Sequence, residues 1–257
     1  MTVRFRTTIL GACTLLLAAG ALTLDAQRFG RRRQPVAEPV KVPYDGRYTF
    51  ARIRFEQDDG GWDIKWAHDY PTAERNFMQI LSSVSTLRPY MDGGTVLTLD
   101  DPDIFRHPVL YLCEPGFWRP TDEEVAALRS YLNKGGFIVF DDFFGRHWYN
   151  FEEQMRRVLP GSRIMPVPPS HPVFDSFFRI TDEDYARQRG SGFGGASPQY
   201  LGIFEDDDPN GRLMVMIFYD NDIGEYMEYS DQGFVPVDVS NTAYKFGVNY
   251  LVYALTH

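Results

Sequence analysis

Acidic residues follow several apolar runs in this sequence, at positions where they could bind a cation or move a proton. Continuous rather than alternating apolarity is typical of a parallel strand that is covered on both faces. The carboxyl ends of parallel strands share one edge of a sheet, where ligands bind. We therefore expect the acids to surround one crevice. They are Glu114 after VLYLC, Asp141 and Asp142 after FIVF, and Asp220 and Asp222 after LMVMIFY.

Two kinds of chemistry suit such a crevice. Asp141 and Asp142 could bind a divalent metal, the one cofactor that this set suggests, with Asp220 or Asp222 and His171 nearby. They could instead hold a water or a substrate hydroxyl as a general base. The alternative is structural, because aspartates at strand ends also cap helices and fix turns. His171 lies in the proline-rich loop PPSHPVF, where loop hydrogen bonding is the competing role.

Aromatic residues flank the same region and could form a platform for a sugar or a peptide. Core packing is the alternative, since 15% of the chain is aromatic. The flanking residues are Phe117, Trp118, Phe143, Phe144, Trp148 and Tyr149.

Between VLYLC and FIVF the sequence predicts a helix. Thr121 and Glu124 have the spacing of a capping box. Leu128 and Leu132 fall on one apolar face, and Gly135 supplies a left-handed stop. A strand–helix–strand unit of this length predicts a right-handed crossover between parallel strands.

The rest of the chain continues the alternation of strands and helices. It predicts an α/β fold, a doubly wound and mainly parallel sheet with helices on both faces. In the first strand, Arg52 and Arg54 are expected on a solvated face, and Asp182–Arg189 is expected to be exposed. The other predicted elements are a strand over Arg47–Phe55, a helix from Pro71, a strand over Thr95–Leu99, a helix over Phe151–Leu159, strands at Tyr200–Phe204 and Leu213–Tyr219, and a helix over Asn241–Thr256.

The first 46 residues differ from the rest. Residues 1–26 are typical of a signal peptide, or of an uncleaved N-terminal anchor formed by residues 4–24. Residues 27–46 predict a basic, Pro/Arg-rich flexible tether, and residues 47–257 a single α/β domain. We expect an exported protein, periplasmic or extracellular, with membrane contact only through the N-terminal segment. After cleavage Cys113 would be the one cysteine, which excludes a disulfide scaffold.

The charge distribution limits the partners. The chain carries −9. Residues 1–46 carry +4, so residues 47–257 carry −13. This acidic domain argues against nucleic acid, which needs a basic surface. It is compatible with a cationic ligand or a metal, and equally with solubility alone.

Gly190, Gly192 and Gly195 match the G-x-G-x-x-G pattern. No predicted strand precedes the pattern and no predicted helix follows it, so we interpret it as a loop rather than a phosphate site.

Four blocks in order resemble the family of domains of unknown function 4159 (DUF4159), over roughly Tyr48 to the end. The resemblance implies a flavodoxin-like fold similar to the class I glutamine amidotransferases. It implies no activity, because none is established for the family, and it is typical of bacterial envelope proteins. The blocks are TDEEVAALRSYLNKGGFIVFDD, SHPVF, NGRLMVMIFYDND and YKFGVNYLVYALT.

The amidotransferase nucleophile is missing. In that superfamily a cysteine follows the strand after a Gly-Gly turn, where this chain has Asp141 and Asp142, and Cys113 lies one strand earlier. The first hypothesis is therefore a non-amidotransferase domain that binds a small ligand or an envelope protein at the acidic crevice. The second is a carboxylate- or metal-dependent hydrolase acting on an envelope glycan or peptide. The third is a purely structural module of a larger complex.

Overall fold

The computed structural model describes residues 38–57, 63–189 and 196–257. The predicted signal or anchor, residues 27–37 of the predicted tether, and the glycine-rich motif lie outside the described residues. Within the described ranges, no helix is both long and apolar enough to span a membrane.

The strands form one seven-stranded sheet in the order β2-β1-β3-β4-β7-β6-β5. Strands β1, β2, β3, β4 and β7 are parallel, whereas β6 is antiparallel to both β7 and β5. The strand order reverses between β1 and β3, as in flavodoxin-like sheets, and ligands bind at such switch points. The strands are β1 Phe50–Ile53, β2 Gly94–Leu97, β3 Val109–Cys113, β4 Phe137–Phe143, β5 Met165–Pro166, β6 Gln199–Phe204 and β7 Leu213–Tyr219.

Helices cover both faces of this sheet, which confirms the predicted doubly wound α/β fold. One apolar core lies beneath α1, α5 and α6, and the other lies beneath α2 and α3. The α-helices are α1 Thr72–Val84, α2 Asp122–Asn133, α3 His147–Val158, α4 Asp182–Arg189, α5 Ile223–Glu228 and α6 Val237–Thr256. Short 3₁₀ helices occupy Lys65–Ala67, Pro102–Arg106, Pro115–Phe117, Pro172–Phe174 and Glu205–Asp207.

The β3–α2–β4 unit forms as the sequence predicts. Thr121 Oγ1 accepts a hydrogen bond from the Glu124 amide at 3.2 Å, and Glu124 Oε2 accepts one from the Thr121 amide at 2.9 Å. Gly135 ends the helix with φ of 100°, a conformation that favours glycine. Strands β3 and β4 then pair in parallel.

The prediction of a solvated face on the first strand is wrong for Arg52. Strand β1 lies between β2 and β3, and α1 covers this face, so Arg52 is only 1% exposed. Its guanidinium pairs with the buried carboxylate of Glu74 on α1. The alternation that predicted solvation therefore reflects a buried ion pair.

The aspartates of β4 lie inside the strand and not after it. Asp141 and Asp142 are part of β4, which runs to Phe143. Backbone hydrogen bonds therefore hold this segment. Its register against β7 shifts between Phe140 and Phe143, and Asp142 has a left-handed backbone with φ of 57°, so the two aspartates do not follow the regular alternation of a strand.

The prediction that Asp182–Arg189 is an exposed segment is wrong for Asp184, which is fully buried. Its carboxylate accepts hydrogen bonds from the Thr181 amide and hydroxyl, both at 2.9 Å, and from Lys245 Nζ at 2.8 Å. Burial alone would raise the pKa of Asp184, but Lys245 and Thr181 lower it to about 2.

We expect Asp184→Asn to lower the free energy of unfolding by about 2 kcal/mol at pH 7. The folded pKa lies below the ordinary value of 3.8. The stabilisation is therefore present above about pH 4 and is lost as the pH falls through about 2. Urea unfolding of both proteins at pH 7 and at pH 3 measures it, with the exposed Asp182→Asn as control. An equal difference at both pH values would contradict the electrostatic origin.

Candidate functional site

The carboxyl ends of β1, β3, β4 and β7 form one rim of the sheet, and acidic side chains collect along it. Glu114 follows β3, Asp142 lies near the end of β4, and Asp222 follows β7. The loop after β1 adds His68 and Asp69. Each of the four acids is less than a tenth exposed.

His68 joins two of these acids. Its Nδ1 lies 3.3 Å from Glu114 Oε1 and 3.3 Å from Asp142 Oδ2. One ligand atom from each of the three residues lies within 4.8 Å of the others, a spacing that would allow all three to bind one metal ion. We call His68, Glu114 and Asp142 the histidine cluster.

A second layer orients the histidine cluster. His68 Nε2 lies 3.0 Å from Asp63 Oδ1, so the opposite side of the ring is engaged by a carboxylate. Lys65 Nζ contacts Glu114 Oε1 at 3.1 Å and Asp63 Oδ2 at 2.9 Å. This layer leaves Nδ1 of His68 facing Glu114 and Asp142.

The charges of the histidine cluster shift its proton affinities. Burial lowers the pKa of His68, but its contacts with Asp142 and Asp63 outweigh this and raise it to about 9. Burial and the nearby Asp142 raise the pKa of Glu114 to about 7, although Lys65 and His68 oppose the shift. The acids therefore favour one positive charge at the histidine cluster, which either a proton on His68 or a metal ion would supply.

Four acids of the rim have a left-handed backbone. Asp69, Glu114, Asp142 and Asp220 have φ values between 50° and 64°. A non-glycine residue rarely adopts this conformation, although Asp does so more often than most. Such conformations concentrate at functional sites, where the surrounding structure holds them.

Asp141 has a structural role. It is fully buried, and its Oδ2 accepts hydrogen bonds from Tyr111 Oη at 2.8 Å and from the amides of Ile223 and Gly224 at 3.0 Å each. Burial and the nearby Asp142 raise its pKa to about 7, although the hydrogen bond from Tyr111 opposes the shift. Asp141 links the start of α5 to β4, and among the described residues it is in neither of the groups whose ligand atoms are close enough to hold a metal ion.

A second group lies on the same rim. One carboxylate oxygen each of Asp69, Asp222 and Glu225 lies within 4.8 Å of the others, and we call these residues the carboxylate cluster. Asp222 Oδ1 also accepts a hydrogen bond from the Glu225 amide at 2.8 Å, which caps α5. Burial and the nearby Asp142 raise the pKa values of Asp69 and Asp222 well above the usual range.

The structure separates two predicted site residues from these clusters. Asp220 Oδ1 faces the Gly145 amide at 3.4 Å, and Asp220 belongs to neither cluster. His171 is not part of the crevice, because its ring packs between Phe204 and Tyr253 near the start of β7, at the opposite edge of the sheet. Its Nδ1 accepts a hydrogen bond from the Val173 amide at 3.2 Å, as a loop histidine does.

Cys113 lies beneath the rim but is not available as a nucleophile. It is fully buried, and its Sγ donates towards the carbonyls of Lys65 and Trp66, both at 3.3 Å. Burial raises the pKa of its thiol well above the usual range, although Arg52 opposes the shift. A reactive cysteine needs the opposite, a lowered pKa and solvent access.

Sequence reasoning missed His68, Asp69 and Glu225. The first two lie in the connection between β1 and α1, just after the 3₁₀ helix Lys65–Ala67, and the last lies in the first turn of α5. The position of His68 and Asp69 after β1 could have identified them, since the carboxyl end of a parallel strand must reach the same edge as the carboxyl ends of β3 and β4.

Comparison of the sequence with models of known protein families identifies one match. A family model described as a domain of unknown function (DUF4159) matches residues 49–255. The matched range contains every member of both clusters. A search of curated proteins found no match to the chain.

Proposed function

The chain belongs to the DUF4159 family, a family of unknown function, and from that premise we propose that it binds a divalent cation at the histidine cluster. The bound cation, with the acidic crevice around it, would then bind a small ligand or an envelope protein. This proposal develops the ligand-binding role expected from the sequence.

The observation that supports it most strongly is the geometry of His68. Two ligands of one cation, each about 2.1 Å from it, lie roughly 3.0–3.4 Å apart. His68 Nδ1 is 3.3 Å from an oxygen of Glu114 and 3.3 Å from an oxygen of Asp142. Metal-bound histidines almost always donate their other N–H to a carboxylate or carbonyl, and Asp63 is placed to accept it.

The donor set indicates which cations fit. One imidazole with two carboxylates suits Zn²⁺, Mn²⁺ or Fe²⁺ better than Ca²⁺, which prefers oxygen alone. The His68 side chain is 31% exposed, so the cluster is open to solvent on one side. A cation held by three protein ligands would keep a position for an exchangeable ligand.

Thermal unfolding with Mn²⁺, Zn²⁺, Mg²⁺ or Ca²⁺ tests the proposal. At about 100 times its Kd a cation stabilises by roughly 2.7 kcal/mol, a rise in Tm of about 5–10 °C for a domain of this size. We expect this rise with Mn²⁺ or Zn²⁺, and its loss in Asp142→Asn. Asn tolerates the positive φ at position 142.

Asp206→Asn is the matched control for that experiment. Asp206 has φ of 55° but is exposed and follows β6, at the opposite edge of the sheet. We expect this variant to keep the full rise in Tm. No rise with any cation, or the same rise in Asp142→Asn, would count against the proposed site.

A metal-dependent hydrolase acting on an envelope glycan or peptide is the second candidate, and His147 favours it. His147 Nδ1 is 3.9 Å from Glu114 Oε2 and has no hydrogen-bond partner among the described residues. Burial and Lys65 lower its pKa, which keeps the imidazole neutral at pH 7 and able to accept a proton from water. Hydrolysis that depends on both Mn²⁺ and His147 would support this candidate.

The wider context is also a proposal. We infer an amidotransferase-like ancestry without amidotransferase activity, which is supported by the flavodoxin-like strand order and the buried Cys113. We further infer export to the bacterial envelope, supported by Arg4 and Arg6 ahead of the apolar residues up to Leu24. Mass spectrometry of the native N-terminus distinguishes a cleaved signal from an anchor.

A further inference from the structure

We propose that the carboxylate cluster binds a second divalent cation beside the first, so that the rim holds a pair of cations. This inference rests on the proposed function for the first cation and adds a second site with different ligands. The second site consists of oxygens alone, from Asp69, Asp222 and Glu225. Such a site suits a hard cation, Mg²⁺ or Mn²⁺.

The geometry is that of a binding site and not of a solvated surface. The ligand oxygens of the three residues lie within 4.8 Å of one another. Asp69 is 7% exposed and Asp222 is 6% exposed. Buried carboxylates at this spacing repel each other in a medium that screens charge poorly, unless a cation lies between them or a proton neutralises one of them.

An unpartnered atom points independently to a missing ligand. Asp69 Oδ2 is buried and has no hydrogen-bond partner in the parts of the chain that the structure describes. Leaving a buried carboxyl oxygen without a hydrogen bond is costly whether or not the group is ionised, so such atoms normally have a partner. A cation between Asp69 and its acidic neighbours would provide that partner.

Gly224 allows Asp69 to take this position. A Cβ on residue 224 would lie 2.3 Å from Asp69 Oδ2 and 2.7 Å from Tyr111 Oη. The missing side chain therefore lets the carboxylate approach the start of α5, next to Asp222 and Glu225.

The two clusters are neighbours along the same segments. His68 of the histidine cluster and Asp69 of the carboxylate cluster are consecutive residues. Asp142 Oδ2 of the histidine cluster lies 3.3 Å from His68 Nδ1, so it is close to the residue that directly precedes Asp69. Paired catalytic cations commonly lie about 3.5–4 Å apart and share such a carboxylate.

The test counts Mn²⁺ ions bound by the full chain in equilibrium dialysis, with electron paramagnetic resonance of the bound ions. We expect two Mn²⁺ per chain with a spin-coupled spectrum. Asp69→Asn and His68→Ala should each bind one Mn²⁺, both with an uncoupled spectrum. Asp222→Asn is a second test of the carboxylate cluster, because Asn preserves the helix cap. Asp206→Asn should still bind two.

The outcomes separate the two proposals. One Mn²⁺ in the wild type that persists in Asp69→Asn and disappears in His68→Ala would overturn the second site and leave the first. Binding that His68→Ala does not reduce would instead overturn the histidine cluster. Two ions with no spin coupling in the wild type would overturn the pairing.

The metal-free proteins provide a prediction that does not depend on binding. Without a cation, the buried carboxyl group of Asp69 lies among other acids and its Oδ2 has no hydrogen-bond partner among the described residues. We expect metal-free Asp69→Asn to have a Tm about 2–4 °C higher than the metal-free wild type. On addition of Mn²⁺, the Tm of Asp69→Asn should rise by less than that of the wild type. Replacing a residue that stabilises the fold would lower the Tm, so a lower Tm of metal-free Asp69→Asn would contradict the inference.

Discussion

The Glu74→Gln protein is expected to have a free energy of unfolding about 3–5 kcal/mol lower than that of the wild type. The Arg52–Glu74 pair is almost completely buried, with side chains that are 1% and 0% exposed. Removal of one partner leaves a buried charge without compensation, which costs far more than the pair contributes. Urea denaturation at pH 7 measures the difference.

The effect should extend to the candidate site, because Arg52 also positions the loop after β1. Its Nη1 donates to the carbonyls of Trp66 at 3.1 Å and His68 at 2.9 Å. We therefore expect Mn²⁺ to raise the Tm of Glu74→Gln by less than it raises the Tm of the wild type, with each rise measured from the metal-free Tm of the same protein. The loss of Glu74 would act through the position of His68 and not through any contact with the cation.

The control is an exposed ion pair of the same residue types. Glu152 and Arg156 lie 3.0 Å apart on α3, with side chains 33% and 70% exposed. Glu152→Gln should change stability by less than about 0.5 kcal/mol, as is usual for surface pairs. Equal losses in Glu74→Gln and Glu152→Gln would show that burial does not determine the cost.

Asp141→Ala is expected to lower the free energy of unfolding by about 3–5 kcal/mol, because it leaves buried donors unpaired at roughly 1–3 kcal/mol each. These donors are the Tyr111 hydroxyl and the amides of Ile223 and Gly224. The start of α5 would lose its attachment to β4. Urea denaturation of the metal-free protein measures the loss.

The adjacent Asp142→Asn is the matched comparison. Asp142 contacts His68 through one oxygen at 3.3 Å, and within the described ranges of the chain it accepts no comparable set of backbone amides. We expect Asp142→Asn to change stability by less than about 1 kcal/mol and to abolish the Mn²⁺ effect. If Asp142→Asn destabilised as much as Asp141→Ala, both aspartates would be structural and the proposed cation site would lose its support.

The sequence could predict part of the candidate site. Acids after apolar runs identified Glu114, Asp142 and Asp222, which the structure places on one rim. It could not separate Asp141 from Asp142, since the two are adjacent acids after one apolar run and differ in the partners that the folded chain brings to them. His171 was included on residue type alone, whereas β6 and the loop before it bring it to the opposite edge.

The sequence by itself determined the architecture, because strand and helix signals are local. Apolar runs, a capping box and a glycine stop depend on residues within a few positions of each other, and alternation of the elements implies a doubly wound sheet. Only the tertiary structure decided which polar groups meet. His68, Glu114 and Asp142 are far apart in the chain, and their contact depends on the order in which β1, β3 and β4 pair. Asp141 is hydrogen-bonded, whereas Asp69 Oδ2 has no partner in the described part of the chain. This difference depends on the burial and the hydrogen bonds that the strand pairing creates.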